Sequence, residues 1–149
     1  MNRRHFLGLA AAVAILPVGS AEAADHVHVY KTAGCGCCTG WIRHLEQNGF
    51  HVSAHDLPSG ALMQKKSAAG LQPEHASCHT AEVNGYVIEG HVPAREVKRL
   101  LGERPDAIGL AVPDMPLGSP GMEADGETEP YDVLLVRRDG KAEVFASYW

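Results

Sequence analysis

"KTAGCGCCTGW", residues 31–41, sets three of the chain's four cysteines within four positions, directly after an alternating apolar run. Upstream, His26–Lys31 reads HVHVYK, with Val27 and Val29 on one side and His26, His28 and Tyr30 on the other. That period of two predicts a half-buried strand. Downstream from Cys38, Trp41, Ile42 and Leu45 fall on one face of a helix, Arg43, Glu46 and Gln47 lie opposite, and Asn48-Gly49 supplies the stop. The cysteines therefore sit where a strand hands over to a helix. There the helix's unpaired N–H groups and positive end stabilise thiolate, the form that attacks disulfides and binds metal.

The alternation of elements continues beyond this handover. Residues 50–57 read as a second strand and residues 59–69 as a second helix ended by Gly70. "HTAEVNGYVIEGHV" turns at Asn84-Gly85, a strong hairpin signal. Residues 93–101 form a third helix, with Pro93 at its first turn and Val97, Leu100 and Leu101 as its apolar stripe. After a Pro/Gly-rich loop over residues 112–126, "YDVLLVRRDGKAEVFASYW" makes another hairpin about Asp139-Gly140. This order predicts an α/β fold of thioredoxin-like type: a βαβαββα sheet with helices on both faces and an extra C-terminal β-hairpin. No repeat or linker divides residues 24–149, which form a single metal-binding domain on this reading.

Residues 1–23 carry Arg3 and Arg4, an apolar stretch, and Ala21-Glu22-Ala23 as a small-x-small cleavage site. That pattern predicts an export signal, and Arg3-Arg4 also fits the twin-arginine type. The apolar part is too short and too Ala/Gly-rich for a membrane span, so no membrane anchoring is expected after cleavage. Loss of two arginines and one glutamate changes the formal charge from −5 to −6. An acidic exported domain with no Lys/Arg cluster argues against nucleic acid and anionic membranes as partners. Disulfides are permitted in that compartment, but adjacent Cys37 and Cys38 make poor staples, because a bridge between neighbours closes almost no loop.

Cys35 and Cys38 have the C-x-x-C spacing of redox motifs, with Cys37 inside it. A third thiol is a hazard for disulfide exchange, because it can capture the mixed disulfide. For a soft ion it is useful, since thiolates prefer Cu(I), Zn and iron–sulfur clusters. Metal binding is the favoured reading, ahead of redox exchange and of a structural disulfide. In glutaredoxin-like proteins the segment entering the third strand passes over the thiols. "SCHT" occupies that place here, so Cys78 is expected to face the Cys35–Cys38 turn, with His79 beside it as a ligand or its support.

Met115 and Met122 lie in "VPDMPLGSPGME", whose prolines and glycines exclude a helix; thioethers there suit Cu(I). Met63, on the second helix, reads as core. His44, His51, His55 and His75 read as solvated surface, and His91 as a hydrogen-bonded structural residue. His26 stands third in Ala24-Asp25-His26 if cleavage follows Ala23. An amine, two peptide nitrogens and an imidazole make the square-planar set that Cu(II) prefers. No Ser/His/Asp arrangement, phosphate-cradling glycine loop or HExxH helix stands out, which sets hydrolase chemistry aside.

"YKTAGCGCCTGWIRHLEQNGF", "SCHTAEVNGYVIEGHVPAREVKRLL" and "VPDMPLGSPGME" together resemble the CopG-type copper-resistance family, first catalogued as a domain of unknown function. The resemblance spans nearly all of residues 24–149. It implies a periplasmic copper-binding protein with a thioredoxin-like fold, whose partners are copper ions and other periplasmic copper-handling proteins. One departure is Asp114, where the family usually has Gly. The combined expectation is Cu(I), in more than one copy if sulfurs bridge, held by Cys35, Cys37, Cys38 and Cys78, with a Cu(II) site at the new N-terminus. The rivals are a thiol–disulfide oxidoreductase using Cys35 and Cys38, and a structural zinc site of four thiolates.

Overall fold

The computed structural model describes residues 25–149; the expected export signal and Ala24 lie outside them. Strand β1 (His26–Lys31) is followed by helix α1 (Gly36–Gln47), β2 (His51–Asp56) and α2 (Ser59–Ala68). Next come β3 (Thr80–Val83), β4 (Tyr86–Glu89), α3 (Ala94–Glu103), β5 (Gly109–Ala111), β6 (Tyr131–Val136) and β7 (Ala142–Tyr148). One seven-stranded sheet runs in the order β2-β1-β3-β4-β5-β6-β7. β1 pairs parallel with β2 and antiparallel with β3, and β3 and β4 form the hairpin turned by Asn84 and Gly85 at φ +47° and +84°. Two successive positive φ values are what a type I′ turn demands, and Asn-Gly meets that demand at least cost.

Two features differ from the sequence reading. Helix α1 starts at Gly36, not Cys38, with Cys35 at its N-cap, so Cys37 and Cys38 lie within the first turn. Its apolar stripe starts only at Trp41, and the preceding residues carry no amphipathic pattern to mark the true start. The expected C-terminal hairpin is present as β6 and β7, and what the sequence reading lacks is β5. β5, three residues long, pairs parallel with β4 and antiparallel with β6, and so joins the hairpin to the sheet. A three-residue strand is too short to show a period.

Strand alternation divides the sheet into two faces. Val27, Val29, Ala81, Val83, Ile88, Leu110, Val133 and Leu135 form one core with Trp41 and Leu45 of α1 and Val97 and Leu100 of α3. Helix α2 covers part of the other face, so helices lie on both. It does so largely through ions: Lys65 Nζ lies 2.8 Å from Glu82 and 3.7 Å from the Tyr30 ring centre. Its buried residues are Leu62 and Lys66, one turn apart, which turns Met63 outward. Met63 is 57% exposed, contrary to its expected place in the core.

The buried Glu89 carboxylate connects α2 to the rest. It accepts hydrogen bonds from Lys66 Nζ at 2.5 Å, Thr80 Oγ1 at 2.6 Å and the Ser77 backbone N–H at 2.8 Å. The third bond fixes the residue next to Cys78. Removing one partner of a buried ion pair leaves an uncompensated charge, which typically costs about 3–5 kcal/mol. Urea unfolding of Lys66→Met is expected to show a loss of about that size, most of it regained in Lys66→Met/Glu89→Gln. A single-variant loss below about 1 kcal/mol would remove Glu89 from its anchoring role.

Candidate metal centre

The turn after β1 closes with the Cys35 N–H donating to the Thr32 carbonyl at 3.4 Å, which delivers Cys35, Cys37 and Cys38 to the first turn of α1. From the opposite side comes Cys78, just ahead of β3. One sulfur from each of Cys35, Cys37, Cys38 and Cys78 lies within 4.8 Å of every other. Cys35 and Cys38 are joined as a disulfide, while Cys37 and Cys78 are free. Cys78 Sγ is the hub, 3.6 Å from Cys38 Sγ and 3.8 Å from Cys37 Sγ.

Two imidazoles close on the same sulfur. His79 Nδ1 is 3.2 Å and His91 Nε2 3.0 Å from Cys78 Sγ, and these three residues form a second convergent group. His91 Nδ1 donates to the Pro120 carbonyl at 2.8 Å. In the neutral ring that bond leaves Nε2 with its lone pair aimed at the sulfur. The His79 ring is fully buried, 4.4 Å from Trp41 and edge-on to His91 at 5.0 Å, and its Nε2 has no hydrogen-bond partner.

Burial sets the charges here. Desolvation lowers the pKa of both histidines, keeping them neutral, and together with the neighbouring Cys37 pushes the Cys78 thiol up to about 12. Without an ion, Cys78 is a neutral thiol facing a neutral imidazole acceptor. A soft cation would replace that proton without stranding a buried charge. His91 thus makes the expected structural hydrogen bond and also faces the cysteines, which its sequence context did not indicate. His44 is half-buried, not solvated: its Nε2 accepts the free N–H of Ala94 at 3.0 Å, pinning α1 to the start of α3. His75, also expected at the surface, is buried.

Known proteins bear directly on this arrangement. A family described as "Protein of unknown function, DUF411" matches residues 75–122, a span that holds Cys78, His79, His91, Met115 and Met122. A solved structure named "Copper resistance protein copG- Form 2" is 42% identical and covers 85% of this chain and 99% of its own, with a TM-score of 0.78. The chain belongs to the CopG family of copper resistance proteins. A second structure, "Copper resistance protein copG- Form 1", is 44% identical, covers 83% and 96% of the two chains, and gives a TM-score of 0.77. No curated protein matches the sequence at a significant level.

The CopG-type loop over residues 112–126 forms a lid on α1. Gly121, at φ +88°, lies so close to α1 that a Cβ there would sit 2.6 Å from the Cys37 carbonyl oxygen and 2.6 Å from the Trp41 nitrogen. Met122 follows directly, half-buried, in a turn closed by the Met122 N–H to the Ser119 carbonyl at 2.8 Å. Met115 is 46% exposed, in an open cleft with Pro113, Pro116 and Tyr131 whose lining includes no cysteine. Asp114, the departure from the family's Gly, has φ +58°, a conformation Gly adopts freely and Asp tolerates better than most residues. His26 is on β1, its Nε2 2.8 Å from Ser53 Oγ and its ring stacked on His28. The structure therefore gathers the four cysteines and His79 and adds His91; Asp114, next to Met115, is hydrogen-bonded to Ala76 and Ser77 just ahead of Cys78, while His26 lies on β1 against Ser53 and His28.

Gly121→Ala should lift this lid off α1. Positive φ alone costs about 1 kcal/mol, and contact with backbone atoms adds to it. Chemical denaturation is expected to show a loss of more than about 1 kcal/mol, with amide shift changes at Cys37–Trp41 by NMR. Unchanged stability and shifts would mean that the lid does not rest on the helix.

Proposed function

We propose that this chain is an exported, periplasmic protein of copper resistance that binds Cu(I) through Cys35, Cys37, Cys38 and Cys78. The observation that carries the reading is the convergence of four sulfurs within 4.8 Å. Solved relatives named as copper resistance proteins support copper over zinc, and thiolate sulfur, which prefers soft ions, favours Cu(I). His79 and His91 stand nearest as added donors or supports, and Met122 follows Gly121 in the lid on α1. Spacings below 4 Å between sulfurs suit bridging, so more than one copper per chain is expected. No helix among the described residues is long and apolar enough to cross a membrane.

The Cys35–Cys38 disulfide must take up two electrons before all four sulfurs can serve as thiolates. The same bond is the specific observation behind a second reading, a thiol or copper redox function. Closing it from two thiolates releases two electrons, the number that two Cu(II) ions accept on becoming Cu(I). Processing after Ala23 would also expose the Ala24-Asp25-His26 nitrogen set for Cu(II); mass spectrometry of the exported protein decides whether that terminus exists.

Anaerobic competition of the reduced protein against a chromophoric Cu(I) chelator separates these readings. Because Cys78 enters as a thiol with its pKa pushed up to about 12, binding must release its proton. Apparent affinity through this sulfur should fall roughly tenfold for each unit of decreasing pH across the neutral range. Cys78→Ser should lower affinity or stoichiometry about as much as Cys35→Ser. Cys37→Ala should damage copper binding yet spare disulfide exchange measured beside it. Robust disulfide exchange in Cys37→Ala, with copper binding unaffected by Cys78→Ser, would make the oxidoreductase the better answer.

A further inference from the structure

Away from the cysteines, β1 and β2 place four histidines on one face. The parallel register pairs His26 with His51, His28 with Ser53 and Tyr30 with His55, so imidazoles fill four of the six outward positions. Val27 and Val29 point the other way, into the core beneath α1 and α3. His26, His51 and His55 are exposed and His28 is partly so. Helix α2 reaches this face at Tyr30 through Lys65 and leaves the histidines uncovered.

Within the patch, one pair stands apart: His28 Nδ1 and His55 Nε2 share a hydrogen bond across 3.4 Å, one ring donating to the other, and an ion bound between them takes the place of that proton. Two imidazole nitrogens bonded to one ion at 2.0–2.1 Å with a tetrahedral angle must be separated by about 3.3–3.4 Å. A cis square-planar pair needs about 2.8–3.0 Å at similar bond lengths, reachable by a small ring rotation. Each ring is also held on its outer side by an aromatic neighbour. His26 stacks on His28 with centroids 4.5 Å apart and planes 17° apart, and Tyr30 stacks on His55 at 5.1 Å and 23°. Ser53 in turn fixes His26. Supports that orient a ligand ring in advance are what strengthens a metal site.

We propose that His28 and His55 form a second, surface metal site for a borderline divalent ion, Cu(II) or Zn(II), with water completing the coordination. Neutral imidazole suits both ions, and the stability order of divalent metals gives Cu(II) the tighter binding. The site is all-nitrogen, so it is blind to Cu(I) where the cysteines prefer it. It requires neither the Ala24 amine nor any sulfur.

The test uses the mature chain with its cysteines intact, because site-resolved NMR separates the two regions in one sample. Substoichiometric Cu(II) should broaden the ring resonances of His28 and His55 before those of other exposed histidines, and Zn(II) should shift the same signals. His28→Ala and His55→Ala should each remove a ligand and weaken the effect most, His26→Ala should weaken it less by removing a support of the His28 ring, and His51→Ala should leave it. Unchanged amide dispersion outside β1 and β2 verifies folding of each exposed-strand variant. Broadening spread evenly over all exposed histidines, confined to the cysteine region, or abolished by His26→Ala alone would overturn the proposal.

Discussion

The antiparallel pairing of β1 with β3 is the constraint on which the convergence of the four cysteines depends. Its last pair, Tyr30 with Thr80, brings the chain leaving β1 beside the chain entering β3. The C-x-C-C turn follows Tyr30 and Cys78 precedes Thr80, so two segments forty residues apart in sequence must meet at one end of the sheet. Glu89 secures the meeting by holding the Ser77 N–H and Lys66 at once. Trp41 secures it from the other side, its Nε1–H donating to the Val92 carbonyl at 2.8 Å and locking α1 onto the strand-to-helix connection after β4.

Desolvation then decides what this junction can hold. A half-buried site with two neutral imidazoles and a protonated Cys78 carries little charge, which lowers the desolvation cost of its buried part. Thiolates formed together would repel one another unless a cation entered with them. On the proposed reading, deprotonation would therefore be coupled to ion binding, and the soft character of sulfur would select the ion. The lid carried by Pro120, Gly121 and Met122 contributes in the same sense. It orients His91 through a carbonyl and lies against Cys37, at the mouth of the cluster.

The sequence made the strand–cysteine–helix handover legible because the periods of two and 3.6 flank it, and made the β3–β4 hairpin legible because Asn-Gly names its turn. The convergence of Cys78 on the other cysteines was legible only through the element order, since nothing in "SCHT" announces it. The buried histidines were not legible. Half-buried His44 and buried His75 and His91 have no shared pattern among their sequence neighbours, and imidazole packs as readily as it solvates, so burial by a distant element leaves no local mark. Lys66 is a further case: its contact with Glu89 is the link between α2 and the sheet, and nothing in the local sequence marks it. Met63 shows the converse, an apolar residue turned to solvent because the helix contacts the sheet mainly through ions.

The central claim is that copper enters a sulfur cage whose hub is Cys78. Copper K-edge X-ray absorption on the anaerobically reduced, Cu(I)-loaded protein examines that claim at the metal itself. The account predicts a first shell dominated by sulfur, with copper–copper scattering behind it, and loss of sulfur ligation in Cys78→Ser. A first shell of nitrogen or oxygen, or a spectrum unchanged by Cys78→Ser, would contradict it.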